Sequence, residues 1–232
     1  AIVLIPLTLW LLKDQTARHQ RLLERLSTDH MQTARQIRQW SRRDVVRDPR
    51  FYLILPSVLF PPIIMAGLFF HQVHLVDSKG WTLSLWATGF IGFAIARVFI
   101  SLLSGPLIDK FGAMRILPYY IAPLVIALLA LAFFDHSSVA FVYMILGGMS
   151  TGARTVTINA VWAEIYGVTH LGAIRSLVQA LVMLAVAVSP ATFGWLIDWG
   201  VTIEAIALMG VGLLLSAIVL FAVYQLRMGL KP

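Results

Sequence analysis

In this chain of 232 residues, 59% of the side chains are hydrophobic and only 12% are charged. Soluble domains carry about 25% charged residues, so there is too little polar surface here to face water all round. Eighteen Lys and Arg against eleven Asp and Glu give a net charge of +7, and the lack of cysteine excludes disulfides, thiolate metal sites and cysteine nucleophiles.

The mean hydropathy of +0.83 points to an integral membrane protein. The first apolar piece, Ala1 to Leu12, rises only ~18 Å as a helix and is too short to span a bilayer. Its basic residues follow the apolar run, unlike those of a signal peptide. With no initiator Met, it is expected to be the tail of a helix whose beginning lies upstream. Segment 13–50 then holds ten of the eighteen basic residues. Leu22, Leu23, Leu26 and Ile37 among its arginines fit an amphipathic helix on a membrane surface. Ser41 and Asp44 make a capping-box start, and Pro49 precedes the next span.

Six apolar spans follow, over 51–72, 84–105, 116–134, 139–163, 172–197 and 202–226. Each reaches the ~20 residues that a helix needs to cross ~30 Å of hydrocarbon. They are continuously apolar, which favours helices over barrel strands. Pro56, Pro61, Pro62, Pro123 and Pro190 are tolerable where neighbouring helices re-satisfy the freed carbonyls. The expected fold class is all-α: a polytopic bundle of six full transmembrane helices plus a partial seventh, with a short tail at 227–232.

Threading six spans puts 13–50, 106–115, 164–171 and the C-terminus on one side; with Arg175, at the same end of its span, that side has fifteen of the eighteen basic residues, and Lys79 stands alone opposite. The positive-inside rule makes the basic side cytoplasmic. A nucleic-acid or partner-binding arm is the alternative for 13–50, but topology already explains its charge. Short loops elsewhere tie the spans into one unit, 51–226.

Gly105-Pro-Leu-Ile-Asp109-Lys110-Phe-Gly112-Ala-Met-Arg115 is the most distinctive stretch. A carboxylate at a helix end can dock on the positive N-terminus of a neighbouring helix, and Gly105 permits close approach there. The plain alternative is a topology-setting loop with a helix stop. The stretch resembles the gating loop of the major facilitator superfamily, with Met114 in place of one expected basic residue. Trp162 to Gly167 with His170 to Ser176 resembles that family's loop between helices ten and eleven, and Ser189 to Asp198 the outer half of helix eleven. The resemblance covers nearly the whole chain. It implies the C-terminal half of a transporter: the end of helix six, the central loop, then helices seven to twelve. It also implies a gate of Gly105, Asp109, Lys110, Gly112 and Arg115, with Glu164 pairing Arg115 or Arg175 in one state.

Charges inside a membrane are costly and usually functional. Arg97 and Arg154 lie ~18 and ~15 Å from the basic side, with no acid at that depth. An anionic solute is the simplest partner, since Arg presents a planar fork to a carboxylate; structural pairing with an acid in the other half is the alternative. Similarity to the family's monocarboxylate and oxalate carriers, which use an Arg on helix eight, implies the same, although Arg97 stands about three turns from Asp109 rather than two. His71, Gln72, Asn159 and Gln179 are further candidates for lining a substrate cavity, with Thr151 and Thr155 as polar neighbours. His71 could couple transport to protons. His71 and His74 lack a third ligand, which argues against a metal. Gly148 and Gly152 form a small-xxx-small packing seam, and the last span reads as a lipid-facing support.

The expected function is secondary active transport of a small organic anion, as symporter or antiporter, by alternating access in the cell (inner) membrane. It calls for no cofactor, no metal, no nucleic acid and no enzymatic chemistry. The partners are the solute, the lipid bilayer and an N-terminal half. The alternative is a transporter-derived structural or regulatory subunit, and a membrane enzyme lacks any nucleophile–base pair or carboxylate dyad.

Overall fold

The computed structural model describes residues 40–227. The expectations for 1–12, for 13–39 and for the tail beyond 227 lie outside the described residues. The described part is an all-α membrane bundle. Its helices are α1 (Arg42–Arg47), α2 (Pro49–Phe70), α3 (Gln72–Ser78), α4 (Leu83–Phe111), α5 (Ala113–Ile116), α6 (Ala122–Phe133), α7 (Ser138–Tyr166), α8 (Leu171–Asp198) and α9 (Ile203–Arg227). Five of them, α2, α4, α7, α8 and α9, are long and apolar enough to cross a membrane.

The third expected span is different. Its continuous helix is only Ala122–Phe133, with α5 and a run of turns over 117–121 before it. Pro118 and Pro123 supply no backbone N–H, which removes two donors from the i→i−4 ladder at this stretch. The Ala122 amide bonds instead to Tyr119 O, one residue short of helical register, at 3.3 Å. In α2, by contrast, three internal prolines leave the helix continuous. Pro61 deprives Ser57 O of its helical donor, and the Tyr120 hydroxyl donates to that carbonyl from the broken third span.

The longest interface joins α4 to α7. A Cβ on Gly148 would stand 2.4 Å from Phe93 O, and one on Gly152 would stand 2.3 Å from Arg97 O. No side chain fits there, so the expected small-residue seam is a backbone-to-backbone contact. It places Arg97 directly beside the turn of α7 that precedes Arg154. Across the bundle, α2 packs on α8 and α9, and α6 on α7 and α9. Ser189 Oγ on α8 donates to Ile63 O at 2.6 Å, and Ser57 Oγ on α2 to Ala217 O at 3.4 Å.

The last span is less peripheral than its composition implied. Ile203, Ala207, Val211, Leu214, Ala217, Phe221 and Tyr224 form a buried stripe at helical spacing. The open helices are α4 and α8, only 17% buried against 39% for α9.

At the end opposite the basic loops, Lys79 ties two loops and the first turn of α9 together. Its Nζ lies 2.5 Å from Asp135 Oδ1 and 2.6 Å from Glu204 Oε1, and its side chain is fully buried. Trp81 Nε1 donates to Asp135 O at 2.7 Å. Burial alone would favour the neutral amine, but the two carboxylate hydrogen bonds outweigh it and raise the Lys79 pKa. At the basic end, Ser41 and Asp44 form the expected capping box on α1.

Candidate functional site

A cavity of about 340 Å³ sits within the bundle, in the size range of small-ligand sites. From α4 come Phe93 and Arg97; from α7, Ser150, Thr151 and Arg154. Pro61, Pro62, Met65, Ala66 and Phe69 of α2 form an apolar wall, closed by Leu124 and Val186. The two intramembrane arginines, 57 positions apart in sequence, therefore share one chamber because the glycine seam brings their helices into contact.

Its polar corner has unmet hydrogen-bonding capacity. Arg154 Nε and Ser150 Oγ are both buried without a partner. Thr151 is spent on its own helix, its hydroxyl bonding Gly147 O at 2.8 Å. No carboxylate lines the chamber. Among the described residues, the ion pairs are Arg50–Asp48 and the two made by Lys79. Phe69 and Phe93 meet edge to face at 5.7 Å, giving the chamber an aromatic side. The arrangement can hold a small ligand whose acceptor oxygens meet a guanidinium and a hydroxyl and whose body is apolar.

The other candidates are not gathered there. Asn159 and Gln179 line a separate cleft between α7 and α8, together with Arg175 and Trp162. His71 and Gln72 join helices: His71 Nε2 donates to Pro190 O at 2.9 Å, and Gln72 Oε1 accepts from Trp86 Nε1 at 2.9 Å. Each is used where the α2–α3 break exposes backbone and brings the side chain against a neighbour. His74 is exposed. Among the described residues, no three His, Cys, Asp or Glu side chains gather as a metal site.

The gating stretch is helical over most of its length. Gly105, Asp109 and Lys110 lie in the last turns of α4, and the chain turns only at Gly112, at φ 84°. That left-handed conformation is one that glycine adopts freely. Asp109 is exposed and has no partner among the described residues, and a Cβ on Gly105 would meet open space. Lys110 lies over the Phe111 ring at 5.2 Å.

Neither expected Glu164 ion pair is formed in this structure. Glu164 Oε1 accepts from Ala113 N at 2.6 Å and Oε2 from Met114 N at 3.2 Å. The carboxylate caps the helical turn that follows Gly112, satisfying two amides left without helical partners. Arg115 is exposed, and Arg175 Nη2 donates to Asn159 O at 2.8 Å. Docking of a carboxylate on a helix N-terminus, expected of Asp109, is carried out here by Glu164.

The sequence pattern of the Major Facilitator Superfamily matches residues 90–230, more than half of the chain. The chain belongs to that superfamily. Members of the Major Facilitator Superfamily are membrane transporters, so this multi-pass bundle is a transport protein and its central chamber is the place to seek a solute. No curated protein matches the chain. Ser150 is the chamber residue that sequence reasoning missed. The signal was available, because it precedes Arg154 by four residues and so shares its face of α7.

Proposed function

We propose that this superfamily member is a secondary transporter of a small organic anion, a compact monocarboxylate before a dicarboxylate, working by alternating access. The observation that carries the proposal is the shared chamber: Arg97 and Arg154 line it, Arg154 Nε and Ser150 Oγ are buried there without partners, and no acid faces them. An uncompensated guanidinium away from water is costly, and a carboxylate arriving with the solute removes that cost. The apolar and aromatic remainder of the wall suits a hydrocarbon body better than a second charge or a sugar.

In this reading the six spans act as helices seven to twelve, one of two half-bundles that rock about the solute. The open faces of α4 and α8 support this, since such a unit must meet its other half along some face. The basic end faces the cytoplasm by the positive-inside rule. The stretch from Gly105 to Arg115, braced by Glu164, forms part of the gate on that side. Proton coupling through His71 has less support, because that ring is tied to Pro190 and does not line the chamber.

The test is uptake by the full-length protein in proteoliposomes, comparing labelled acetate and benzoate with labelled succinate and neutral benzamide. Saturable uptake of a monocarboxylate, with benzamide excluded, is expected. Equal uptake of benzamide would remove the anion from the account.

A further inference from the structure

The cleft between α7 and α8 is chemically distinct from the central chamber. It has a volume of about 300 Å³ and lies nearer the basic end. Arg175 lines it with one guanidinium nitrogen fixed to Asn159 O at 2.8 Å, which orients the group and leaves its other N–H donors without partners among the described residues. Gln179 lines it and also has no partner among the described residues. Trp162, another lining residue, is buried, and its Nε1 has no hydrogen bond.

The neighbouring polar side chains are tied to backbone. Asn159 Nδ2 donates to Thr155 O at 2.8 Å, and Ser176 Oγ donates to Ala173 O at 2.9 Å. Arg42 of α1 brings a second guanidinium to the rim, 3.3 Å from Ser176 Oγ. Glu164 commits both oxygens to the amides of Ala113 and Met114. No carboxylate lines the cleft.

The two cavities follow one another along α7. Arg154 belongs to the chamber and Ile158 and Trp162 to the cleft, and their spacing of four residues keeps all three on one face. Four residues of helix rise ~6 Å, about one turn.

We propose that this cleft is a second anion site, a station that the carboxylate occupies between the central chamber and the aqueous phase at the basic end. The inference rests on the anion-transport reading above. Arg175 and Gln179 supply donors to the carboxylate oxygens, and Arg42 draws the anion toward the rim. A pathway that binds its solute at successive modest sites allows both entry and release.

Equilibrium binding of labelled benzoate to the detergent-solubilised full-length protein tests it, with acetate and succinate as further probes. Wild type is expected to bind two benzoates. Arg175→Gln weakens one of them about tenfold, the loss expected for a charge-assisted hydrogen bond, and leaves the other unchanged. Gln179→Leu weakens the same one without altering charge, and Arg154→Gln weakens the other about tenfold. A single benzoate, unaffected by Arg175→Gln or Gln179→Leu and weakened in Arg154→Gln, overturns the second site and leaves the central reading standing. No saturable binding of any of the three probes to wild type counts against both.

Discussion

Gly152 on α7 lies so close to the carbonyl of Arg97 on α4 that a Cβ would stand 2.3 Å from the oxygen. A helix-packing glycine and a chamber-lining cation are therefore one feature. Arg97 reaches the chamber where it does because nothing on α7 holds its backbone away. Gly152→Ala should push the two helices apart at that level. Overpacking of this kind costs about 1–3 kcal/mol. The melting temperature should fall modestly and solute affinity disproportionately, measured by thermal denaturation beside uptake. Gly212→Ala, a helical glycine with open space around its Cβ position, should leave solute affinity unchanged and raise the melting temperature slightly.

Glu164 makes backbone contacts and no ion pair in this structure. Glu164→Gln keeps an acceptor oxygen for one of the two amides, whereas Glu164→Ala leaves both unpaired. The order of remaining transport should be wild type, then Gln, then Ala. Exchanging the charges by combining Glu164→Arg with Arg175→Glu should fail to restore activity, because Arg175 is bound to Asn159 O and Glu164 to Ala113 and Met114. Recovery in the exchanged protein, read by initial uptake rates, would mean that the two side chains do pair in a state that governs transport.

Lys79 gives the bundle a pH dependence of definite sign. Its folded-state pKa is raised above the ordinary 10.5, by carboxylate hydrogen bonds that outweigh burial. Its contribution is therefore fully present below 10.5 and is lost as pH rises through the higher folded value. Thermal melts of wild type should show an extra alkaline loss that Lys79→Met lacks. At neutral pH, Lys79→Met should lose about 1.5 kcal/mol, the low end for charged hydrogen bonds, since Asp135 is itself 78% exposed.

Tyr120 donates its hydroxyl to Ser57 O, the carbonyl that Pro61 leaves without a helical partner. Tyr120→Phe should cost about 1–3 kcal/mol, the penalty for an unsatisfied buried acceptor. Pairing it with Pro61→Ala, which restores the N–H, should recover part of that loss in the same melts.

Much of the bundle was legible because its signals are local. A run of about 20 apolar residues is a span wherever it occurs, and Gly148 with Gly152 announces close packing without knowledge of the partner helix. The break at 117–121 was carried by Pro118 and Pro123 but hidden in an otherwise apolar run. Arg97 and Arg154 were each conspicuous by depth; their meeting depends on which helices pair, and no local pattern encodes that. Asn159 and Gln179 were polar for a reason, yet they belong to a different cavity. Glu164 was assigned a charged partner because backbone amides leave no trace in a sequence. The Lys79 cluster was invisible for the same reason as the chamber: its three segments are distant in the chain and meet only once the bundle is built.

The central claim is that Arg97 and Arg154 together receive the solute's carboxylate. The most direct measurement is the KM and maximal rate of labelled monocarboxylate uptake by full-length wild type, Arg97→Lys, Arg97→Ala and Arg154→Gln, reconstituted at equal protein levels. Loss of a charged hydrogen bond should raise KM about tenfold in Arg97→Ala and Arg154→Gln, with Arg97→Lys between them and wild type. An unchanged KM in both alanine and glutamine variants, with the protein folded and inserted, would contradict the account.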